Sequence, residues 1–289
     1  LEFPEMQGIM GRYLATRDQE DPEVADAIDS FYRPRQSGDP VPESLTAQAV
    51  ALADRLDTLV GIFAIGERPS GDKDPYALRR AAIGLIRIIS DNALRLDLRE
   101  LLQHAARGFS IEVSPASLDD VYSYILERLK GLYADQGVQS DIVNAVCSMQ
   151  PPDLVDIRQR ILAIQGFRQD SAMPSLIAAN KRIDNFLKKS DVERGQHDLA
   201  TEHLQDPAEI ALYQAMTQIE AGMDSAVANG DYPQALAELA SIRDEIDRFF
   251  DHVMVLCEDA ALRENRLALL HRLSHRFYQI ADFSLLTAG

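Results

Sequence analysis

The sequence predicts an all-α protein: a helical first half, then a C-terminal helical bundle. Three observations carry this. Apolar residues recur at steps of three and four in nearly every segment, the spacing that lines one face of a helix. Asp21-Pro22, Asp74-Pro75 and Asp206-Pro207 each set a capping carboxylate before a proline suited to a first helical turn. No strand-type alternation survives more than a few residues.

In order, the first helix covers residues 3–15, with Pro4 at its start, and the second covers 22–32, capped by Asp21. Residues 33–43 are proline-rich and form a loop. A long helix over 44–64 turns Val50, Ala53, Leu56, Leu59, Val60 and Phe63 inward, and 65–73 is a Gly/Pro/Ser loop. Asp74 caps a helix that begins at Pro75 and runs to about Asn92. Helices follow over 97–109, over 118–134 behind Ser117, and over 140–149. Pro151-Pro152 breaks the chain and marks a domain boundary, dividing 1–150 from 151–289. Beyond it lie helices over 154–167 and 174–189, a polar stretch 190–205, and a helix from Pro207 capped by Asp206. The Asn229-Gly230-Asp231 turn leads into two long amphipathic helices, 232–256 and 259–286, joined at Cys257-Glu258. A short turn between such helices predicts an antiparallel pair sharing one core.

The chain is 46% hydrophobic over 289 residues, enough for one large helical domain or two ordinary ones. Its net charge of -17 excludes a generic nucleic-acid coat, because phosphate binding is driven by basic side chains; a local basic face remains open. Cys147 and Cys257 lie far apart with no CxxC, the usage of a reduced, intracellular, cytoplasmic protein. No apolar run approaches a membrane span. The chain opens without Met and inside a helical pattern, as an excised piece of a longer protein does.

Several stretches could carry chemistry. Arg80, Gly84 and Arg87 share the polar strip of their helix, with Gly84 admitting a close neighbour. The strip is either a phosphate or partner contact or a pair of arginines tied to acids nearby. His271 and His275 stand at i, i+4, but no third ligand is evident and Arg272 and Arg276 flank them, so no metal is expected. On 174–189, Leu176, Ile183 and Leu187 point inward and Asn180 lies on the apolar side. Lys181 with Lys188, and Arg182 with Lys189, point outward as a cationic patch or a solvated face. Arg272, His275 and Arg276 add charge on the polar side of the last helix. Arg266 projects into the pair and reads as structural, bonded to an acid such as Asp251 or Asp259. No Ser-His-Asp set, phosphate loop or carboxylate dyad emerges, so no catalytic residue is assigned.

Two resemblances narrow the reading. The run around Asp54, AQAVALADRLDTL, resembles the last motif of the HD phosphohydrolase superfamily, where the Asp helps bind a metal. One carboxylate cannot hold a hydrolytic metal, so a non-catalytic remnant is the expectation. DEIDRFFDHVMVLCEDAALRENRLALL resembles the end of a DALR-type anticodon-binding domain, with Val255, Asp259, Leu262, Arg263, Arg266 and Leu267 filling its pattern. With FPEMQGIMGRYLA, AVALADRLDTLVGIFAIGERPSGDKDPYALRRAAIGLIRII and AANKRIDNFLKKS, the whole chain resembles the beta subunit of bacterial tetrameric glycyl-tRNA synthetases. That resemblance implies an HD-like region with linking helices over 1–150 and an anticodon-binding bundle over 151–289. It implies glycine tRNA and an alpha subunit as partners in an α2β2 ligase, with neither membrane nor DNA. No cofactor is expected in these residues; ATP and magnesium serve the whole enzyme. Lys181, Arg182, Lys188, Lys189, Arg272, His275 and Arg276 are then the expected tRNA contacts. A helical scaffold without RNA contact, or a remnant HD-type phosphohydrolase, is the alternative.

Overall fold

The computed structural model describes residues 3–36, 38–69, 74–189 and 199–287. It is all-α: the described residues form thirteen α-helices and three short 3-10 turns, and the one extended pairing among them is an isolated bridge between Asp97 and Asp153. The chain divides into two compact units, Leu1–Gly137 with Pro152–Val155, and Val138–Pro151 with Asp156–Gly289. It therefore changes unit after Gly137, between Pro151 and Pro152, and after Val155.

The first unit contains α1 (Ile9–Arg17), α2 (Pro22–Ser30), α3 (Leu45–Ala64), α4 (Leu78–Asp91), α5 (Leu98–Ala106) and α6 (Pro115–Asp135). Helix α3 is its axis and packs against α2, α4, α5 and α6. Its inward face carries Leu56, Leu59, Val60 and Phe63 as the sequence implies, but departs from the expectation at Val50 and Ala53. Ala47, Gln48, Ala51, Leu52, Arg55, Leu59 and Phe63 are buried, while Val50 and Ala53 are exposed. Two polar residues on the core side, Gln48 and Arg55, hid the true stripe. Arg55 is 6% exposed and donates to the carbonyls of Phe31, Ala51 and Arg33 at 3.1, 2.9 and 2.9 Å. Burial lowers its pKa, and the neighbouring exposed Asp54 partly offsets this. The close neighbour that Gly84 admits is this arginine: a Cβ on Gly84 would stand 2.5 Å from Arg55 Nε.

Two helix starts also differ. Helix α4 begins at Leu78, because Ala77 takes a left-handed φ of 55°. Asp74 still caps it, from a turn before: its carboxylate accepts the Leu78 and Arg79 amides at 2.8 and 2.9 Å. Helix α6 starts at Pro115 behind Ser114, whose hydroxyl accepts the Ser117 amide.

The second unit contains α7 (Ser140–Cys147), most of α8 (Leu154–Phe167), α9 (Met173–Lys189), α10 (Pro207–Ala228), α11 (Tyr232–Ser241), α12 (Arg243–His252) and α13 (Ala260–Tyr278). The expected helix 232–256 is broken at Ile242. Ile242 takes φ -100° and ψ 12°, outside helical values, and beside it the Ser241 hydroxyl donates to the Glu238 carbonyl at 2.7 Å. The expected helix 259–286 stops at Tyr278, where Arg160 takes the Gln279 and Ile280 carbonyls at 2.7 and 2.8 Å. Nor do these helices form one simple pair: α11 and α12 pack on α10, and α13 packs chiefly on α9.

The chain after α13 returns to α7. The Asp282 amide donates to the Ala145 carbonyl at 3.0 Å, and Phe283 is buried edge-on to Phe277. Asp141 accepts from the Thr287 amide and hydroxyl at 2.9 and 2.6 Å and from Arg168 at 3.1 Å. Burial alone would raise the Asp141 carboxyl, but these donors outweigh it and hold it below the ordinary carboxylate value. A carboxyl depressed in the folded state binds a proton more readily when unfolded. Its contribution is therefore complete above about pH 4 and is lost as pH falls through the lowered value. We expect the Thr287 amide to exchange faster with solvent as pH falls through that range, after correction for intrinsic exchange. Asp141→Asn should abolish the pH dependence, and an unchanged profile in that variant rejects the linkage.

Candidate nucleic-acid interface

Helix α9 is amphipathic as its sequence implies. Leu176, Ile177, Asn180 and Ile183 are buried, and Lys181, Arg182 and Lys188 are exposed. The Lys189 side chain lies outside the described residues. Lys188 pairs with Asp184 at 2.5 Å, but its side chain is 67% exposed, and an i,i+4 pair of this kind contributes only about 0.3–0.5 kcal/mol. It can be exchanged for a phosphate at small cost.

Helix α9 lies along α12. The Ser175 hydroxyl donates to Asp247 at 2.9 Å. The Phe186 and Phe250 rings lie nearly parallel at 6.2 Å, and the Arg182 guanidinium stands 5.6 Å over Phe250. Both rings are half-buried. Cations and aromatic surface thus meet on one face, the combination that suits a single strand with phosphates and unstacked bases. Sequence periodicity missed the aromatic part by placing both Phe249 and Phe250 in the core. Adjacent helical residues point about 100° apart, and only Phe249 is fully buried.

The last helix corrects a second expectation. Arg276 is 6% exposed and binds Asp224 at 2.5 Å as well as Glu220. Arg272 binds Glu220 at 2.7 Å and stands over Tyr213. Acids four apart on α10 meet arginines four apart on α13, so Arg276 is buried and paired and Arg272 is half-buried and paired. The Gln279 amide and Arg276 hold Asp224 below the ordinary carboxylate value. His275 alone of the three expected α13 contacts is exposed. In the first unit Arg80 is exposed, while Arg87 donates to the Asp39 carbonyl at 2.7 Å and pairs with Asp91 at 3.3 Å. Among the described residues no group of three His, Cys, Asp or Glu side chains is placed to hold a metal ion. No described helix is long and apolar enough to cross a membrane.

Arg266 is structural, with Glu209 as its acid in place of Asp251 or Asp259. Glu209 is 1% exposed; it accepts the Gln205 and Asp206 amides at 3.0 and 3.2 Å and receives Arg266 Nε. Arg266 also donates to the Met254 carbonyl at 2.9 Å, and Arg263 to the Cys257 carbonyl at 2.9 Å. The segment between α12 and α13 is therefore fixed from below. Its side chains alternate: Val253 and Val255 are 7% and 2% exposed, Met254 and Leu256 73% and 43%.

Residues 1–148 match the family model described as glycyl-tRNA synthetase beta subunit, and residues 176–282 match the DALR anticodon binding domain. The chain is 46% identical over 289 residues to the glycine–tRNA ligase beta subunit of Aromatoleum aromaticum, covering 99% of this chain and 41% of that protein. The corresponding protein of Actinobacillus pleuropneumoniae is 44% identical over 286 residues, with the same coverage. The chain thus spans about two-fifths of the length of the curated relatives it matches.

Proposed function

The chain belongs to the glycyl-tRNA synthetase beta-subunit family, and from that premise we propose that it is the tRNA-binding, anticodon-reading portion of such a subunit. The observation that carries this is the exposed cation and aromatic face of α9 and α12, which lies inside the segment matching an anticodon-binding domain. In this reading residues 151–289 contact the anticodon arm, and residues 1–150 are an HD-like remnant with linking helices. The partners are glycine tRNA and an alpha subunit, in a cytoplasmic α2β2 ligase. Aminoacylation, with ATP and magnesium, takes place on the alpha subunit. The contribution of this chain is orientation: binding energy realised far from the reacting atoms holds the acceptor end in place.

Lys181, Arg182 and Lys188 are the proposed phosphate contacts; Lys189 and His275 extend the set. Arg272 and Arg276 act through the fold, since Glu220 and Asp224 already match them.

The test is a titration of the assembled ligase with glycine tRNA at several salt concentrations. Each neutralised phosphate on a single strand adds roughly 0.7 to the salt slope, so Lys181→Ala with Lys188→Ala should weaken binding and flatten the slope by about 1.4. The midpoint of unfolding should hardly move, because both side chains are exposed. Identical slopes and affinities in variant and wild type would rule these lysines out. An assembly lacking the whole chain that keeps wild-type tRNA affinity would leave the scaffold reading in its place.

A further inference from the structure

Exposed single apolar side chains are ordinary on protein surfaces. The segment at residues 253–259 differs in how firmly its backbone is held. Three of its carbonyls, those of Met254, Cys257 and Glu258, accept from Arg266 and Arg263 on the first turns of α13. Arg266 is itself locked by Glu209, a carboxylate with 1% exposure. Burying an ion pair costs more in desolvation than it commonly returns, and its best-attested use is to fix a geometry. The geometry fixed here presents Met254 and Leu256 to solvent on a backbone held at three carbonyls.

We propose that this segment is a preformed seat for an unstacked nucleobase of a single-stranded RNA loop, with Met254 and Leu256 as the surface on which the base packs. The inference rests on the RNA-binding reading above and adds the site of base contact to it. Two observations favour a base as the occupant. The segment follows directly on α12, where Phe250 carries Arg182 over its ring, so cation and apolar surface are supplied by neighbouring residues. Its size also fits: two such side chains offer on the order of 200 Å², against roughly 800 Å² per partner in a stable protein interface. A polarizable thioether in van der Waals contact with a base needs no hydrogen-bond match. The seat therefore supplies affinity for a splayed base, and the fixed register of its backbone decides which loop position reaches it. Arg263 and Arg266 are positioning residues in this arrangement and do not touch the RNA.

The test uses the assembled ligase carrying Met254→Ala and Leu256→Ala. Dissociation constants are measured for glycine tRNA and for a transcript with replaced anticodon-loop bases, together with the affinity for the alpha subunit. Leu45→Ala, at a 75% exposed position of the first unit, controls for general loss of apolar surface. The variant should bind native tRNA about tenfold more weakly, as removal of one base-stacking contact does. The control should match wild type. A variant that keeps wild-type affinity for native tRNA overturns the seat while leaving the anticodon-reading function intact. Loss of alpha-subunit affinity with unchanged tRNA binding also overturns it and makes the segment a protein contact. Wild-type enzyme that cannot distinguish the transcripts refutes the functional reading itself, and the seat with it.

Discussion

Glu209→Ala should destabilise the chain by about 3–5 kcal/mol, the range for removing one partner of a buried ion pair. The loss has two parts. Arg266, whose side chain is 13% exposed, keeps its charge but retains only the Met254 carbonyl among its bonded partners. The Gln205 and Asp206 amides lose their acceptor, and the capping box at the start of α10 opens. Glu209→Gln should cost less, because an amide oxygen can still accept the two N–H groups. Glu209→Met combined with Arg266→Met should cost less than either single change, since it leaves no uncompensated charge inside. Denaturant unfolding of Glu209→Ala, Glu209→Gln, Glu209→Met, Arg266→Met and the double Met variant measures this order. A Glu209→Ala protein within 1 kcal/mol of wild type, or a double variant worse than both singles, would refute the account.

The second large effect is expected at Gly84. A methyl group there would stand 2.5 Å from Arg55 Nε and 3.3 Å from its Cδ and Cζ. Arg55 cannot swing away freely, because its far end is committed to the carbonyls of Phe31, Ala51 and Arg33. Gly84→Ala therefore strains the contact or strips those carbonyls of a donor, a cost of about 1–3 kcal/mol by either route. The better helix propensity of Ala returns about 1 kcal/mol, so the net loss should be about 1 kcal/mol. Gly131, also in a helix, is the matched comparison: a Cβ there meets nothing within 4 Å. Gly131→Ala should stabilise by up to about 1 kcal/mol. Opposite signs at the two glycines in thermal unfolding are the expected result. Equal signs would mean that Arg55 yields more easily than its bonds suggest.

What the sequence disclosed depended on whether the cause was local. Helices opened by a side-chain cap and a proline were readable because all the groups involved lie within one turn, as at Asp21 and Asp206. Asp74 was misplaced only because its carboxylate reaches past a left-handed Ala77. The inward face of α3 was read correctly at Leu56, Leu59, Val60 and Phe63 and misread at Val50 and Ala53, because its polar members are satisfied by carbonyls from a distant loop, which hydrophobic periodicity cannot register. The cationic face of α9 was legible from spacing alone. The neutralisation of Arg272 and Arg276 was not, although Glu220 and Asp224 carry the same spacing. Periodicity reports which residues share a helix face but not which helices become neighbours. Met254 and Leu256 left a faint trace, an apolar run that continues past the end of its helix.

The return of the chain to α7 has a consequence for how the protein is made. Asp141 and Thr287 are 146 residues apart, yet each is the other's partner. Translation delivers roughly 5–20 residues per second, so α7 leaves the ribosome on the order of ten seconds before its cover. During that interval Ile142, Val143 and Val146, all buried in the finished unit, lack the residues around Phe283 that close over them. The second unit cannot be completed progressively from its first helix onward. A nascent chain therefore carries α7 without this cover until nearly the whole unit exists.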